Sequence, residues 1–261
     1  MPSTPIRLRD AHLLRVPRII PIFWVIKALS TAAGESTSDY LVHAISPVGA
    51  VGIGFLAFLG ALAIQFSRHR YVAWAYWLAV CMVGVFGTMA ADVLHVGFHV
   101  PYVASSALYA ICLAAVFVVW ERTEHTLSIH TIDTPRREAF YWAAVVATFA
   151  TGTAVGDLSA TTLHLGYGHS ALLFIGLMAI PVLGYVAFGL NGVGAFWIAY
   201  VLTRPIGASF SDWIGKSHAV GGLGVGDGTV ALIFFAAIVV LVAYLSVSKI
   251  DVQSTPVVEK S

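Results

Sequence analysis

Charge is scarce in this chain. Lysine, arginine, aspartate and glutamate make up 10% of its 261 residues, and the formal net charge is +1. A chain so evenly balanced has no basic face for nucleic acid and no acidic tail, so nucleic acid is excluded as a partner. Cysteine is almost missing as well. Cys81 and Cys112 sit in apolar runs with no C-x-x-C spacing, which leaves no disulfide framework or thiolate metal site and makes both expected small buried hydrophobes. Also absent are His-Glu-x-x-His, a serine-nucleophile motif and C-x-x-C-His. An enzyme of those common kinds is therefore not expected.

What the chain has in abundance is apolar surface: 59% of residues are hydrophobic and the mean hydropathy is +0.86. A membrane-spanning helix needs about 20 mostly apolar residues. Eight stretches qualify, at 19–44, 47–67, 71–96, 101–120, 138–164, 169–189, 192–214 and 229–248. The expected class is an all-α, polytopic protein whose main partner is the lipid bilayer. Arg7, Arg9, Arg15, Arg18, Arg68, Arg70, Arg122, Arg136, Arg137, Lys249 and Lys260 fall on one side of these spans, Lys216 falls on the other, and Lys27 and Arg204 lie within them. The excess of basic residues facing the cytoplasm then puts both termini inside, in a cell inner (plasma) membrane. Polar, arginine-bearing residues 1–18 precede the first span and resemble no cleavable signal peptide.

The odd-numbered spans begin alike, with Phe23-Trp24, Tyr76-Trp77, Tyr141-Trp142 and Phe196-Trp197. Ten residues after each tryptophan comes a glycine (Gly34, Gly87, Gly152, Gly207), and five residues further an aspartate (Asp39, Asp92, Asp157, Asp212). Four gapless copies of W-x9-G-x4-D define a tandem repeat. Each repeat adds a second span and reads as a helical hairpin, so all four units enter the membrane in the same direction. The expected organisation is an N-terminal segment 1–18, repeats one and two over 19–120, a cytoplasmic linker 121–137, repeats three and four over 138–248, and a tail 249–261.

These motifs, from Phe23-Trp24 through Gly34-Glu35-Ser36-Thr37-Ser38-Asp39, Gly87-Thr88 to Asp92, Gly152-Thr153 to Asp157, and Arg204-Pro205-Ile206-Gly207 to Asp212, resemble a family of bacterial membrane-anchored proteins. That family is built from four tandem copies of a two-helix repeat of unknown function, each copy with a tryptophan. The resemblance covers about residues 20–248 and implies an architecture but no chemistry.

Chemistry has to come from the residues. Fifteen helical steps from tryptophan to aspartate rise about 22 Å, so tryptophans anchoring at the inner interface would put the aspartates near the outer edge of the bilayer core. The glycines read as close-packing positions. An acidic residue at a helix centre costs about 2.5–3.5 kcal/mol on insertion scales, and at a helix C-terminus it opposes the macrodipole. Capping does not explain four of them. Helical phase places Lys27, Thr31, Glu35 and Ser38 in one polar column flanked by Asp39, and Arg204, Ser211 and Asp212 in another. Pro205 predicts a kink in the second. Thr88 with Asp92 and Thr153 with Asp157 extend the pattern without a cation in the span.

The expected site for cation binding and translocation is therefore Asp39, Asp92, Asp157, Asp212 and Glu35, with Lys27 and Arg204 as internal counter-ions and Thr31, Ser38, Thr88, Thr153 and Ser211 as the polar column. Five carboxylates against two bases require a proton, water or a bound cation. His43, His95 and His164 follow three of the aspartates at i+4, i+3 and i+7. Imidazole beside carboxylate suits Zn, Mn, Fe or Ni, and interfacial polar histidine is an equal alternative. A transporter or carrier for a small cation, either a divalent metal or a proton-coupled ion, is the leading expectation. An intramembrane metal-dependent enzyme with an outer His/Asp site and a pH or metal sensor without transport are the alternatives. Oligomeric state has no signature here.

Overall fold

The computed structural model describes residues 14–253, all helix, turn and loop with no strand among them; Arg7, Arg9 and Lys260 lie outside that range. One helix begins each of the four repeats: α1 (Pro21–Ala44), α3 (Ala73–Asp92), α5 (Pro135–Asp157) and α8 (Gly192–Gly215). Between them run α2 (Pro47–Phe66), α4 (Tyr102–Glu124), the interrupted pair α6 (Gly166–Leu177) and α7 (Ala179–Ala187), and α9 (Asp227–Ser248). Local chemistry sets the starts. Pro21, Pro47 and Pro135 occupy first-turn positions where a missing N–H costs nothing. Ser46, Thr134 and Asn191 accept hydrogen bonds from the N–H groups of Gly49, Arg137 and Gly194 at 3.2, 3.3 and 2.7 Å. Pro181 follows closely on the break at Met178 and cannot carry the helical ladder. By contrast α8 continues through Pro205 without interruption.

The repeat-starting helices α1, α3, α5 and α8 form a closed ring in which each packs on the next and α8 returns to α1. The others make an outer layer. In α2, α4, the α6–α7 span and α9, 22% of the most apolar stretch is buried, against 61% in α3 and 67% in α5. Among the described residues, seven helical spans are long and apolar enough to cross a membrane. At 24 residues α1 is long enough too, but it carries Lys27, Glu35 and Asp39 and faces its neighbours. The hairpin expectation needs correction in its packing. Each outer helix lies chiefly on the first helix of the following repeat, α2 on α3, α4 on α5, α6 on α8 and α9 on α1. That arrangement interlocks neighbouring units and lets the last helix close the circle.

The motif glycines explain how the ring closes. A Cβ at Gly34 would fall 2.7 Å from the Gly84 backbone, one at Gly87 3.0 Å from Phe149, one at Gly152 2.5 Å from Arg204, and one at Gly207 would overlap Thr31. In every case the contacted residue lies three positions before the glycine of the next repeat. One small residue per helix thus sets the same close approach around the whole ring.

The tryptophans depart from expectation. Trp77, Trp142 and Trp197 are buried and Trp24 partly so, and they join Phe23, Tyr76, Tyr141, Phe196 and Tyr200 in one aromatic layer. The Tyr76 and Tyr141 hydroxyls hydrogen bond across its centre. They plug the ring instead of forming an interfacial belt, because they lie on the faces that the ring helices turn toward one another. Below the plug, residues 14–18 are threaded between the linker and the tail. Arg15 N–H donates to the Ile132 carbonyl at 2.9 Å, Arg18 N–H to that of Asp251 at 2.7 Å, and Tyr71 N–H to that of Leu14 at 2.9 Å. Buried Glu138 accepts from Arg15 Nη1 at 2.6 Å and from Gln65 Nε2 at 2.8 Å. Cys81 is buried as expected, whereas Cys112 lies exposed on the outer face of α4.

Candidate functional site

Above the plug the ring interior becomes polar, and Arg204 is its hub. Its side chain is fully buried and reaches all three other ring helices: Nη1 donates to the Thr31 carbonyl at 2.9 Å, and Nη2 donates to Glu35 Oε2 at 2.5 Å, to Thr153 Oγ1 at 2.8 Å and to Thr88 Oγ1. Thr88 also donates to Glu35 Oε2 at 3.3 Å. The two Gly-Thr units therefore present their threonines to the guanidinium contributed by the fourth unit. Thr31, Ser38 and Ser211 are buried in the same interior. Ser211 Oγ donates to the Ala32 carbonyl at 2.9 Å, and Thr31 Oγ1 to that of Thr203 at 3.3 Å.

One helical turn further, Glu35, Asp39 and Asp212 each offer a carboxylate oxygen, and these lie within 4.8 Å of one another. Lys216 crosses this group. Its Nζ stands 2.5 Å from Asp39 Oδ2 and 3.8 Å from Asp212 Oδ1. Burial alone would lower the Lys216 pKa, but Asp212 and Asp39 outweigh it and raise the group, which stays a cation. The carboxylates of Asp92 and Asp157 make no hydrogen bond or ion pair among the described residues, although the Asp157 carbonyl accepts from Thr161 Oγ1 at 2.6 Å. Both are within electrostatic reach of Glu35 and Asp39, and Asp157 of Asp212 as well. Tyr102 and Tyr167 stand at the same mouth, close enough to feel Asp157.

One expectation about the cations is corrected. Arg204 is paired, with Glu35, as a counter-ion should be. Lys27 is not. Its Nζ is fully buried without a hydrogen-bond partner, 4.0 Å from the Phe149 ring centroid and 4.3 Å from that of Tyr200, because it lies two turns toward the plug from Glu35. The cation that serves the carboxylates is Lys216, whose position four residues after Asp212 was the available signal.

The histidines do not join the carboxylates. His43 Nδ1 pairs with the Asp39 carbonyl at 2.7 Å, and His95 Nδ1 with that of Val100 at 2.8 Å while its ring stacks on Tyr102. His164 is exposed with φ 55°. For His95 and His164 the reason is a change of helical phase: a π-helical turn follows Asp92 at Val93–Gly97 and Asp157 at Leu158–Thr162, whereas His43 stays in regular helix and turns its ring back to the Asp39 carbonyl. A wider turn rotates later side chains off the face that a regular α-helix would give them.

The ring, its interlocked outer layer and the carboxylate mouth define a multi-pass helical membrane protein made of tandem repeats. Residues 75–126, 140–189 and 195–251, more than half of the chain, match the family model described as Repeat of Unknown Function (DUF347), and the chain belongs to that family. The first repeat falls outside the match, yet Trp24, Gly34 and Asp39 keep the common spacing and α1 fills the fourth place in the ring. No curated protein and no solved structure matches the chain.

Proposed function

We propose that the protein is a carrier for a small cation, a divalent metal ion or a cation exchanged against protons, in the cell inner membrane with the tryptophan end toward the cytoplasm. The observation that carries this reading is the meeting of Glu35, Asp39 and Asp212 oxygens within 4.8 Å inside a membrane-spanning ring. Three carboxylates gathered in low-dielectric surroundings outnumber the two resident cations, Arg204 and Lys216, and so favour a further positive guest. Asp92 and Asp157 extend the negative field across the mouth and would draw the ion in. The Arg204–Glu35 pair lies beneath as an electrostatic barrier, and the aromatic layer closes the far end. Passage then requires these lower layers to part after the ion has bound, which is the order an alternating carrier needs.

A histidine-based catalytic metal centre has weaker support, because the group of possible metal ligands found among the described residues, Glu35, Asp39 and Asp212, includes no histidine. The reading is tested by flux in proteoliposomes, with Mn²⁺, Ca²⁺, Mg²⁺ and protons each followed under an imposed gradient. Asp212→Asn, and the pair Asp92→Asn with Asp157→Asn, are expected to lower flux at least tenfold. Equal flux in these variants, or no flux of any tested cation in the wild type, would defeat the carrier reading.

A further inference from the structure

The carboxylate group contains its own substitute for a guest. Lys216 follows directly on the last residue of α8 and begins a loop, residues 216–226, that folds back over the helix end. Gly224 N–H donates to the Lys216 carbonyl at 2.8 Å and Val225 N–H to that of Ile214 at 3.1 Å. Gly221, Gly224 and Gly226 adopt φ of 86°, 73° and 90° to make that fold possible. The backbone at Lys216 is thus held, while its side chain keeps 24% of its surface exposed and a route to water.

The ammonium satisfies the site poorly. It pairs with Asp39, stands 3.8 Å from Asp212 Oδ1, and makes no contact with Glu35 within ion-pair distance. Asp212 is only 4% exposed, and its Oδ1 has no hydrogen-bond partner. Burying a carboxylate oxygen without a hydrogen bond is costly, so Asp212 Oδ1 favours a closer positive partner than the Lys216 ammonium at 3.8 Å. Glu35 turns Oε2 to Arg204 and Thr88, which leaves Oε1 without a hydrogen bond among the described residues, and Asp39 gives Oδ2 to Lys216 and keeps Oδ1. Three carboxylates thus hold oxygen ligands in reserve around the place that one lysine covers.

We infer that Glu35, Asp39 and Asp212 bind a hard divalent cation of the Mg²⁺, Ca²⁺ or Mn²⁺ class, and that Lys216 is a tethered competitor that must swing out before the ion can bind. The donor set is all carboxylate oxygen with no thiolate or imidazole, which selects hard ions over Zn²⁺ or Cu²⁺. This rests on the carrier reading for its purpose but not for its chemistry. Lys216 would keep the empty site neutral enough to persist in the membrane, and displacement would carry its charge toward water at the loop.

The test uses the full chain in detergent, where no gradient exists, with Mn²⁺ as the probe and electron paramagnetic resonance counting free ion. Lys216→Met should tighten Mn²⁺ binding at least about tenfold, equivalent to about 1.4 kcal/mol, and Asp212→Asn should abolish it. A second measurement keeps the native lysine: amine acetylation at Lys216, quantified by mass spectrometry in the wild type, should speed up severalfold when Mn²⁺ is added. Unchanged or weaker binding in folded Lys216→Met, an acetylation rate indifferent to Mn²⁺, or no Mn²⁺ bound by either protein would each overturn the inference. Binding as described without flux in proteoliposomes would retire the carrier reading and leave this site standing.

Discussion

Arg204→Met is the substitution with the clearest cost. Methionine keeps most of the aliphatic stem that packs on Gly152, so the loss is confined to the guanidinium. That group is fully buried and is bonded to Glu35, Thr153, Thr88 and the Thr31 carbonyl. Removing it strands a nearly buried Glu35 carboxylate and two threonine hydroxyls. Breaking a buried pair from one side costs about 3–5 kcal/mol, mostly because the abandoned charge cannot be solvated. The double variant Arg204→Met/Glu35→Gln removes that charge and leaves an amide able to bond Thr88. It should recover on the order of 2 kcal/mol relative to the single variant. Unfolding in mixed SDS–detergent micelles, followed by tryptophan fluorescence, measures both. A single variant costing under about 1 kcal/mol, well below that range, or a double variant less stable than the single one, would refute the view of Arg204 as the hub of the ring.

Other substitutions separate packing from charge. Gly207→Ala drives a methyl into Thr31 and should cost about 1–3 kcal/mol by overpacking, whereas Gly52→Ala meets nothing within 4 Å and should be neutral or gain up to about 1 kcal/mol; the same unfolding assay compares them. Lys27→Met removes an amine with no acceptor and should stabilise by about 1–3 kcal/mol, the opposite of Arg204→Met. At the tryptophan end, burial raises the Asp251 pKa more than the hydrogen bond from Tyr71 lowers it. A raised carboxyl pKa means that its contribution is complete below the ordinary aspartate range and is lost as pH rises through the raised value. Amide exchange at Arg18, corrected for its intrinsic pH dependence, should therefore quicken over that window, and Asp251→Asn should flatten the response.

Much of the architecture was legible because the repeat spacing is geometric. Tryptophan, glycine and aspartate at constant separation on four parallel helices can only recur at three levels of one ring, and the structure has an aromatic plug, a glycine contact and an acidic mouth at those levels. The column Lys27, Thr31, Glu35 and Ser38 was legible for the same reason, and all four are buried. Partner choice was not. Chain order joins α1 to α2, but α2 packs chiefly on α3, and no periodicity within a helix says which neighbour it will meet. Tryptophan burial was hidden because a ring in the membrane interior and an interfacial belt call for the same residue. The positions of His95 and His164 were hidden by the π-helical turns after Asp92 and Asp157, which break the regular α-helical phase. Lys216 was visible only as a break in the Asp–His pattern, because its role depends on Asp39, 177 residues away.

The central claim, that Glu35 and the repeat aspartates Asp39 and Asp212 share one cation, is tested most directly by a structure of the protein soaked in Mn²⁺ with an anomalous difference map at the manganese edge. The account predicts one peak about 2.0–2.6 Å from oxygens of Glu35, Asp39 and Asp212, with Lys216 turned away. A map with no peak there, or with its peak at His43, His95 or His164, would contradict it.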